Sequence, residues 1–281
     1  MTHPLVTTAW LADNLANPNV VLLNASMSKV IGREPIVYDQ PLFIPGTRNF
    51  DLERDFCAVN SNLVHGFPTE EQFTHKAQKL GINADTLVIL YDNQGVYSSP
   101  RAWWIFQAMG HKNTFVLDGG LPKWLAESRG VVATVSAEPD TGGNILAAFQ
   151  SAMVCDSSYL VKERQAGQVT VVDARSPERF YGTAPEPREG VRSGHIPGSK
   201  NLPFALVLDD HSFKNAEQLV ALFARTLPSG AHQAVFSCGS GVTACILLLA
   251  SVIVGYKNTV LYDGSWADWG SNPALPVTTS E

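Results

Sequence analysis

The chain has 281 residues, a mass of 30.4 kDa, a formal net charge of −6 and a sequence pI near 5.6. Hydrophobic residues make up 45% of it and charged residues only 16%, which excludes intrinsic disorder, because disorder needs low hydrophobicity and high net charge. The acidic balance argues against a nucleic-acid-binding surface, which is basic, and the length allows one large domain or two ordinary ones.

The sequence predicts neither a signal peptide nor a membrane-spanning helix. Residues Met1–Val6 contain no basic region followed by an apolar stretch, so no signal peptide is expected. The most apolar segment, Ala244–Tyr256, is shorter than the roughly 20 residues that a membrane span needs, and it is predicted to be a buried helix. No membrane partner is therefore expected.

Short apolar runs alternate with amphipathic runs along the chain. The runs predicted as strands are Val20–Leu23, Leu87–Leu90, Val169–Val172 and Ala234–Phe236. Helical patterns lie between them, at Glu70–Leu80 and Ala216–Arg225. Strands that are apolar all round are typical of a parallel sheet buried on both faces. The pattern therefore predicts an α/β fold with helices covering parallel sheets.

The chain repeats itself once. Segments of the first half recur, in the same order, in the second half: Val20–Ala25 as Val169–Ala174, Ile44–Phe50 as Ile196–Leu202, and Gly110–Trp124 as Gly255–Trp269. Three matches in one order indicate two copies of one unit. Residues 138–144, Glu-Pro-Asp-Thr-Gly-Gly-Asn, break any regular pattern between the copies. We therefore predict domains at residues 1–138 and 152–281, with a linker at 139–151.

One cysteine follows directly on a predicted strand. Ala234–Phe236 leads into Ser-Cys-Gly-Ser-Gly-Val-Thr-Ala, residues 237–244, before the apolar helix begins. Glycines let successive backbone N–H groups point inward as an anion-binding nest, and such a nest stabilises a thiolate. The alternative is a buried structural cysteine. The first half has Asp92 where the second has Cys238, so only the second copy can use a thiol.

The other cysteines carry no recognisable partner. Cys245 falls inside the apolar helix and is interpreted as a core residue, and Cys57 and Cys155 as structural or incidental. Because the sequence has no C-x-x-C pair, a disulfide scaffold is not expected. We expect a cytoplasmic protein with reduced cysteines. The seven histidines show no metal-ligand spacing, so neither a metal nor another cofactor is expected.

These features together resemble the two-domain rhodanese sulfurtransferases. The resemblance is carried by the tandem repeat, the Cys-x-x-Gly-Val-Thr loop at Cys238 and the Gly-His-Ile-Pro-Gly turn at Gly194–Gly198. Thiosulfate-using members carry basic residues directly after the cysteine, whereas this loop is uncharged and resembles that of mercaptopyruvate sulfurtransferases. The resemblance implies two tandem rhodanese-like domains, each a parallel sheet flanked by helices.

The resemblance also implies an activity. Sulfur would move from 3-mercaptopyruvate to Cys238 as a persulfide, with release of pyruvate, and then to thioredoxin, another thiol or cyanide. Cys238 would be the nucleophile, and the rest of the loop would contact substrate through Gly239, Gly241, Val242 and Thr243.

Two arginines are candidates for the substrate carboxylate. The segment Arg179–Arg188 is similar to the carboxylate-binding region of the mercaptopyruvate subfamily. A planar guanidinium suits a carboxylate and a keto oxygen. The alternatives are that each is an ordinary surface arginine, or that Arg179 pairs with Glu178 or Asp173.

A proton relay is also implied by the family. Ser240, His65 and Glu53 occupy the matching positions. For Ser240 the alternative is a turn hydroxyl that caps the following helix, and for His65 an exposed loop histidine.

Other classes compete with this interpretation. A cysteine phosphatase needs an arginine six residues after its cysteine, where this chain has Ala244. A thiosulfate sulfurtransferase remains the nearest alternative, because it shares the fold and the nucleophile. A persulfide carrier without turnover would also keep Cys238.

Overall fold

The structure is a computed structural model that describes residues 3–59, 61–227 and 233–279. The chain divides into two compact units. The first comprises Met1–Val59, Phe67–Gln150 and Leu208–Phe213, and the second comprises Asn60–Gly66, Ser151–Val207 and Lys214–Glu281. Each unit thus takes in one short segment from the other half of the sequence.

The first unit is built on a five-stranded sheet in the order β1-β5-β4-β2-β3, with every pairing parallel. The strands are β1 (Leu5–Val6), β2 (Val20–Asn24), β3 (Arg48–Asn49), β4 (Leu87–Tyr91) and β5 (Thr114–Leu117). The helices are α1 (Thr8–Asn14), α2 (Glu70–Lys79), α3 (Ser99–Ala108) and α4 (Gly120–Ala126). The central strands β2, β4 and β5 are almost wholly buried, as their apolar sequences require.

The second unit repeats this plan, with a parallel sheet in the order β6-β12-β11-β7-β8. Its strands are β6 (Val154–Cys155), β7 (Val169–Asp173), β8 (Lys200–Asn201), β11 (Gln233–Ser237) and β12 (Thr259–Tyr262). Its helices are α5 (Ser157–Gln165), α6 (Pro177–Phe180), α7 (Ala216–Thr226), α8 (Ala244–Ile253) and α9 (Ser265–Ser271), with 3₁₀ turns at Ser151–Met153 and Phe204–Val207. A short antiparallel hairpin, β9 (Leu208–Asp209) and β10 (Ser212–Phe213), belongs to the first unit.

The two sheets have the same strand order, position for position, which confirms the predicted α/β fold and the internal repeat. The predicted strands are all present, each one or two residues longer than its apolar run. The segment predicted to be a buried helix forms α8, whose first eight residues are buried. Among the described residues, no helix is long and apolar enough to cross a membrane.

Helix starts are set by local hydrogen bonds. Asn215 caps α7 and forms a reciprocal capping box with Gln218. Thr69 accepts the N–H of Gln72 at the start of α2, where Glu70 also favours the positive end of the helix dipole.

The segment interpreted as a linker runs along the first unit. Residues 139–150 contain no helix or strand, and their backbone is held by α2, α3 and the turns that follow them. Gly143 donates to the carbonyl of Gln78, and Ala148 donates to that of Met109. The buried side chain of Ile145 anchors the segment to this unit.

Candidate active site

Cys238 is the first residue after β11, at the carboxyl end of a central strand, where ligands bind in open parallel α/β sheets. Its side chain is buried, with 1% exposure. Gly241 in the loop has φ +79°, a left-handed conformation that favours glycine. Val242 and Thr243 are buried and lead directly into α8. The predicted strand–loop–helix arrangement is therefore present.

The start of α9 holds this loop in place. The N–H of Cys238 donates to Ser265 Oγ at 3.2 Å, and the Ser265 hydroxyl donates to the carbonyl of Tyr262 at 2.9 Å. The N–H groups of Trp266 and Ala267 donate to the carbonyls of Cys238 and Gly239, each at 2.9 Å. The loop backbone is thus fixed on both sides of the cysteine by α9.

Arg179 and Arg188 converge on the residue next to the cysteine. A Cβ atom placed on Gly239 would lie 3.1 Å from Nη2 of Arg179 and 3.8 Å from Nη1 of Arg188. Both guanidinium groups therefore pack directly against the loop backbone beside Cys238. A larger residue at position 239 would push into them.

Arg179 pairs with a carboxylate that the sequence did not single out. Its Nη2 lies 2.6 Å from Oε2 of Glu186, and its Nε donates to Oε1 at 3.1 Å. Arg179 therefore pairs with Glu186 rather than with Glu178 or Asp173. Asp173 is instead occupied by Arg175, which also bonds to Glu186 at 2.8 Å.

Arg188 has a different environment. No hydrogen bond or ion pair joins its guanidinium to any residue within the described ranges, and the residue is half-buried. It lines a cavity of about 370 Å³ together with Leu63, Val64, Ala267 and Asp268. Arg188 therefore brings a guanidinium that is available to a ligand at the side of the cysteine loop.

Ser240 and His65 are brought together. The hydroxyl oxygen of Ser240 lies 3.2 Å from Nδ1 of His65. The N-cap of α8 is Thr243, with no side chain capping the helix, so the structure does not support helix capping by Ser240. His65 is half-buried and has φ +60°, a strained conformation for a residue with a side chain, and such strain clusters at functional sites.

Glu53 lies in the first unit, whereas Ser240 and His65 belong to the second. The Glu53 carboxylate accepts the N–H of Ser28 at 2.8 Å and the Ser28 hydroxyl at 2.7 Å. Its part in the relay stays a prediction.

In the first unit, Asp92 stands where Cys238 stands in the second, directly after the corresponding strand β4. Its buried carboxylate accepts the N–H groups of Gln94, Tyr97, Ser98 and Ser99 at 2.9–3.0 Å. It also accepts the hydroxyl of Ser99 at 2.7 Å. This loop is an anion-binding nest that its own aspartate fills.

The three remaining cysteines are unsuited to nucleophilic attack. Burial raises the pKa of Cys155 far above its usual range, and the nearby Asp156 adds to the effect. Burial also raises the pKa of Cys57, with a further contribution from Asp51. Cys245 is fully buried in α8 and its thiol donates to the carbonyl of Gly241. A raised pKa disfavours the reactive thiolate of Cys155 and of Cys57, and the thiol of Cys245 is held inside α8 by its hydrogen bond to the backbone.

Sequence reasoning missed three residues that shape the site. Glu186 and Arg175 fix Arg179, and Ser265 fixes the N–H of Cys238. Glu186 lies inside the Arg179–Arg188 segment, and its charge between two arginines was the one available signal.

The chain is similar to known proteins in both sequence and fold. Residues 7–127 and 156–272 each match the family model described as the rhodanese-like domain. Thiosulfate/3-mercaptopyruvate sulfurtransferase 2 of Arabidopsis thaliana is 37% identical over 299 residues, covering 99% of this chain and 87% of the relative. The 3-mercaptopyruvate sulfurtransferase of Escherichia coli K12 is 33% identical, covering 95% of both chains. The crystal structure of SseA from Escherichia coli superposes with a TM-score of 0.82 at 31% identity, covering 94% of this chain and 99% of SseA.

Proposed function

This chain belongs to the rhodanese family and is a sulfurtransferase, and from that premise we propose that it moves sulfur from 3-mercaptopyruvate to a thiol or to cyanide through a persulfide on Cys238. The observation that carries the proposal is the convergence of Arg179 and Arg188 on Gly239, beside Cys238, which follows directly on the central strand β11. Two guanidinium groups suit a donor with a carboxylate and an adjacent keto oxygen.

In the first half-reaction the Cys238 thiolate attacks the sulfur of mercaptopyruvate. A sulfur–sulfur bond forms, the carbon–sulfur bond breaks, and its electron pair leaves on carbon as the enolate of pyruvate. The enolate carbon then takes a proton and becomes pyruvate, and the enzyme retains the persulfide. This is covalent catalysis, with ping-pong kinetics as its signature.

The first unit serves as an internal guide to how the loop would hold the persulfide anion. Asp92 accepts the N–H groups of the second, fifth and sixth residues after it. The corresponding donors after Cys238 are the N–H groups of Ser240, Thr243 and Ala244. We expect these groups to bind the outer sulfur, because oriented N–H dipoles stabilise a developing anion without reorganising.

We propose that His65 and Ser240 move the proton. Their 3.2 Å separation permits a hydrogen bond between the hydroxyl and the imidazole. Such a pair can deliver a proton to the enolate and accept one from the incoming thiol. Glu53 is proposed to orient the imidazole, as the family pattern implies.

In the second half-reaction the acceptor attacks the outer sulfur. A thiolate leaves as a persulfide and cyanide leaves as thiocyanate, and in each case the sulfur–sulfur bond electrons return to Cys238 as the thiolate. Thioredoxin is proposed as one acceptor, because it supplies a reactive thiol. A cytoplasmic setting is proposed for the same reason, since a reducing compartment keeps both thiols free.

Thiosulfate is the alternative donor, and one observation favours it. The relative in Arabidopsis thaliana is named for both thiosulfate and 3-mercaptopyruvate. The loop from Cys238 to Thr243 is uncharged, which supports mercaptopyruvate, because a dianion needs more positive charge than a monocarboxylate. A carrier without turnover would form the persulfide but release no sulfur to cyanide.

The test compares the two donors with cyanide as the acceptor, in the native chain, in Cys238→Ser and in Cys57→Ser. We expect a higher kcat/KM with mercaptopyruvate, near-total loss in Cys238→Ser, and native rates in Cys57→Ser, the matched control. Mass spectrometry should show one added sulfur atom after incubation with the donor alone. A higher kcat/KM for thiosulfate would overturn the donor assignment, and sulfur transfer by Cys238→Ser would overturn the mechanism.

A further inference from the structure

The arginine that contacts Gly239 belongs to a buried cluster of four charged side chains. Arg179 pairs with Glu186 at 2.6 Å, Glu186 with Arg175 at 2.8 Å, and Arg175 with Asp173 at 2.7 Å. The side chains of Asp173, Arg175 and Glu186 are at most 3% exposed, and that of Arg179 is 14% exposed. At this depth water screens the charges only weakly.

Every guanidinium nitrogen of Arg175 donates a hydrogen bond. Its three nitrogens donate to Asp173, Glu186 and the carbonyl of Gly194, and its guanidinium stacks over Trp266 at 4.4 Å from the ring centroid. Burial lowers the pKa of Arg175, but Asp173 and Glu186 outweigh burial and raise it above its usual range. Arg175 therefore remains charged and holds one oxygen of Glu186 in place.

The cluster is electrically balanced. It contains the two carboxylates of Asp173 and Glu186 and the two guanidinium groups of Arg175 and Arg179. Arg188, which pairs with no described residue, adds one positive charge at Gly239. These five side chains therefore carry a net charge of +1, and the carboxylate of Asp268, which lines the same cavity as Arg188, accepts the hydroxyl of Tyr262 at 2.6 Å. Removing the charge of Glu186 would raise this local charge by one unit.

We propose that Glu186 determines donor specificity, because its carboxylate cancels one of the two arginine charges at the loop and so favours a singly charged donor over a doubly charged one. Mercaptopyruvate carries one negative charge and thiosulfate carries two. This inference rests on the proposed sulfur transfer through Cys238. Glu186 acts through Arg179 and is a specificity-determining residue rather than a group that touches the sulfur.

The test is Glu186→Gln, which keeps the size and one hydrogen-bond acceptor while removing the charge. We expect the ratio of kcat/KM for thiosulfate to kcat/KM for mercaptopyruvate to rise about tenfold or more, since an added unit charge acts across a poorly screened site. Inhibition by inorganic sulfate, a dianion, should strengthen in the same variant, whereas inhibition by pyruvate should not. A merely structural role would weaken both donors together.

Two variants control for folding and for general charge. Glu178→Gln removes an exposed carboxylate from α6, next to Arg179 in the sequence, and should leave the donor ratio unchanged. Glu186→Asp keeps the charge on a shorter side chain and should retain the preference for mercaptopyruvate even if its stability falls. A shifted ratio in Glu186→Asp would show that position, not charge, matters and would overturn the proposal.

The outcomes separate this inference from the function it rests on. If the native chain transfers sulfur from neither donor, the proposed function fails. If the native chain prefers mercaptopyruvate and Glu186→Gln keeps the same donor ratio and the same sulfate inhibition, only the role of Glu186 fails.

Discussion

At the residue scale, Arg179 and Arg188 reach the same glycine but stand in different electrostatic settings. Arg179 is neutralised by Glu186, while Arg188 pairs with no residue that the structure describes. An unpaired guanidinium at a half-buried position retains its full attraction for an anion. Arg188 is therefore expected to supply most of the electrostatic attraction for the donor carboxylate. Arg179 is expected mainly to orient that carboxylate.

Arg188→Gln tests this division. We expect KM for mercaptopyruvate to rise about 10- to 100-fold, because a hydrogen bond to a charged group contributes about 1.5–3 kcal/mol and 1.4 kcal/mol is tenfold in affinity. Steady-state kinetics with cyanide held saturating would measure it. Arg225→Gln, on the exposed side of α7, is the control and should behave as the native chain. An unchanged KM in Arg188→Gln would remove Arg188 from the donor site.

Ser240 and His65 share one hydrogen bond, so the effects of their substitutions on kcat should not be additive. We expect Ser240→Ala and His65→Gln each to lower kcat with mercaptopyruvate by about 10²-fold, in the range of general acid–base catalysis. The double variant should lose little more than the worse single variant, because either change breaks the same relay. A double-mutant cycle on kcat measures this. Losses that multiply would mean that the two residues act independently.

At the element scale, the strands and main helices can be predicted from local sequence patterns. The site, by contrast, depends on contacts between residues that are distant in the sequence. Val169–Val172 and Ala234–Phe236 are short and apolar, which is typical of strands buried on both faces. The edge strand Lys200–Asn201 has two residues and no periodicity, so no local signal marks it. Glu186 stands out in the sequence only as a charge between two arginines, and its pairing with Arg175 and Arg179 forms only after the chain folds.

The two strand–loop–helix elements after β4 and β11 use one geometry for two purposes. In the first, Asp92 permanently satisfies the loop donors; in the second, the place of the carboxylate is taken by Cys238. A loop whose donors are satisfied internally is expected to be rigid. A loop whose donors await an anion is expected to gain stability when the persulfide forms.

Asp92→Asn tests the structural half of this comparison. The amide keeps one acceptor oxygen but turns an NH₂ group toward N–H donors, which then lose their partner. We expect the free energy of unfolding to fall by about 2–4 kcal/mol, as when one member of a buried charged hydrogen-bond group is removed. Urea unfolding would measure it, with Asp140→Asn, an exposed aspartate, as the control. Equal stability of the two variants would contradict the role of Asp92.

At the scale of the whole molecule, each unit is completed by a segment from the other half of the sequence. Asn60–Gly66, which carries His65, belongs to the second unit, and the hairpin Leu208–Phe213 belongs to the first. Two copies of one fold are thereby made unequal. The segment added to the second unit contains His65, which lies next to Ser240. The hairpin added to the first unit packs on the Asp92 loop.

The hairpin is closely fitted to the first unit. A Cβ atom on Gly95, in the Asp92 loop, would lie 2.7 Å from Cβ of His211, so the two backbones are in contact. The N–H of Phe213 donates to Oδ1 of Asp118 at 3.0 Å. Burial raises the pKa of Asp118, and this hydrogen bond opposes the increase. The hairpin therefore satisfies a buried carboxylate as well as covering the loop.

Replacing Leu208–Phe213 by Gly and Ser residues, at equal length in the full chain, should destabilise the first unit selectively. The loss of the buried Leu208 and Phe213 side chains is expected to cost about 3 kcal/mol or more. Amide hydrogen exchange should accelerate in β4 and the Asp92 loop while β11 and β7 keep their protection. Replacing Ala133–Val135, an exposed stretch of the first unit, is the control. Exchange that accelerates equally in both sheets would show that the hairpin supports the chain as a whole rather than the unit that it completes.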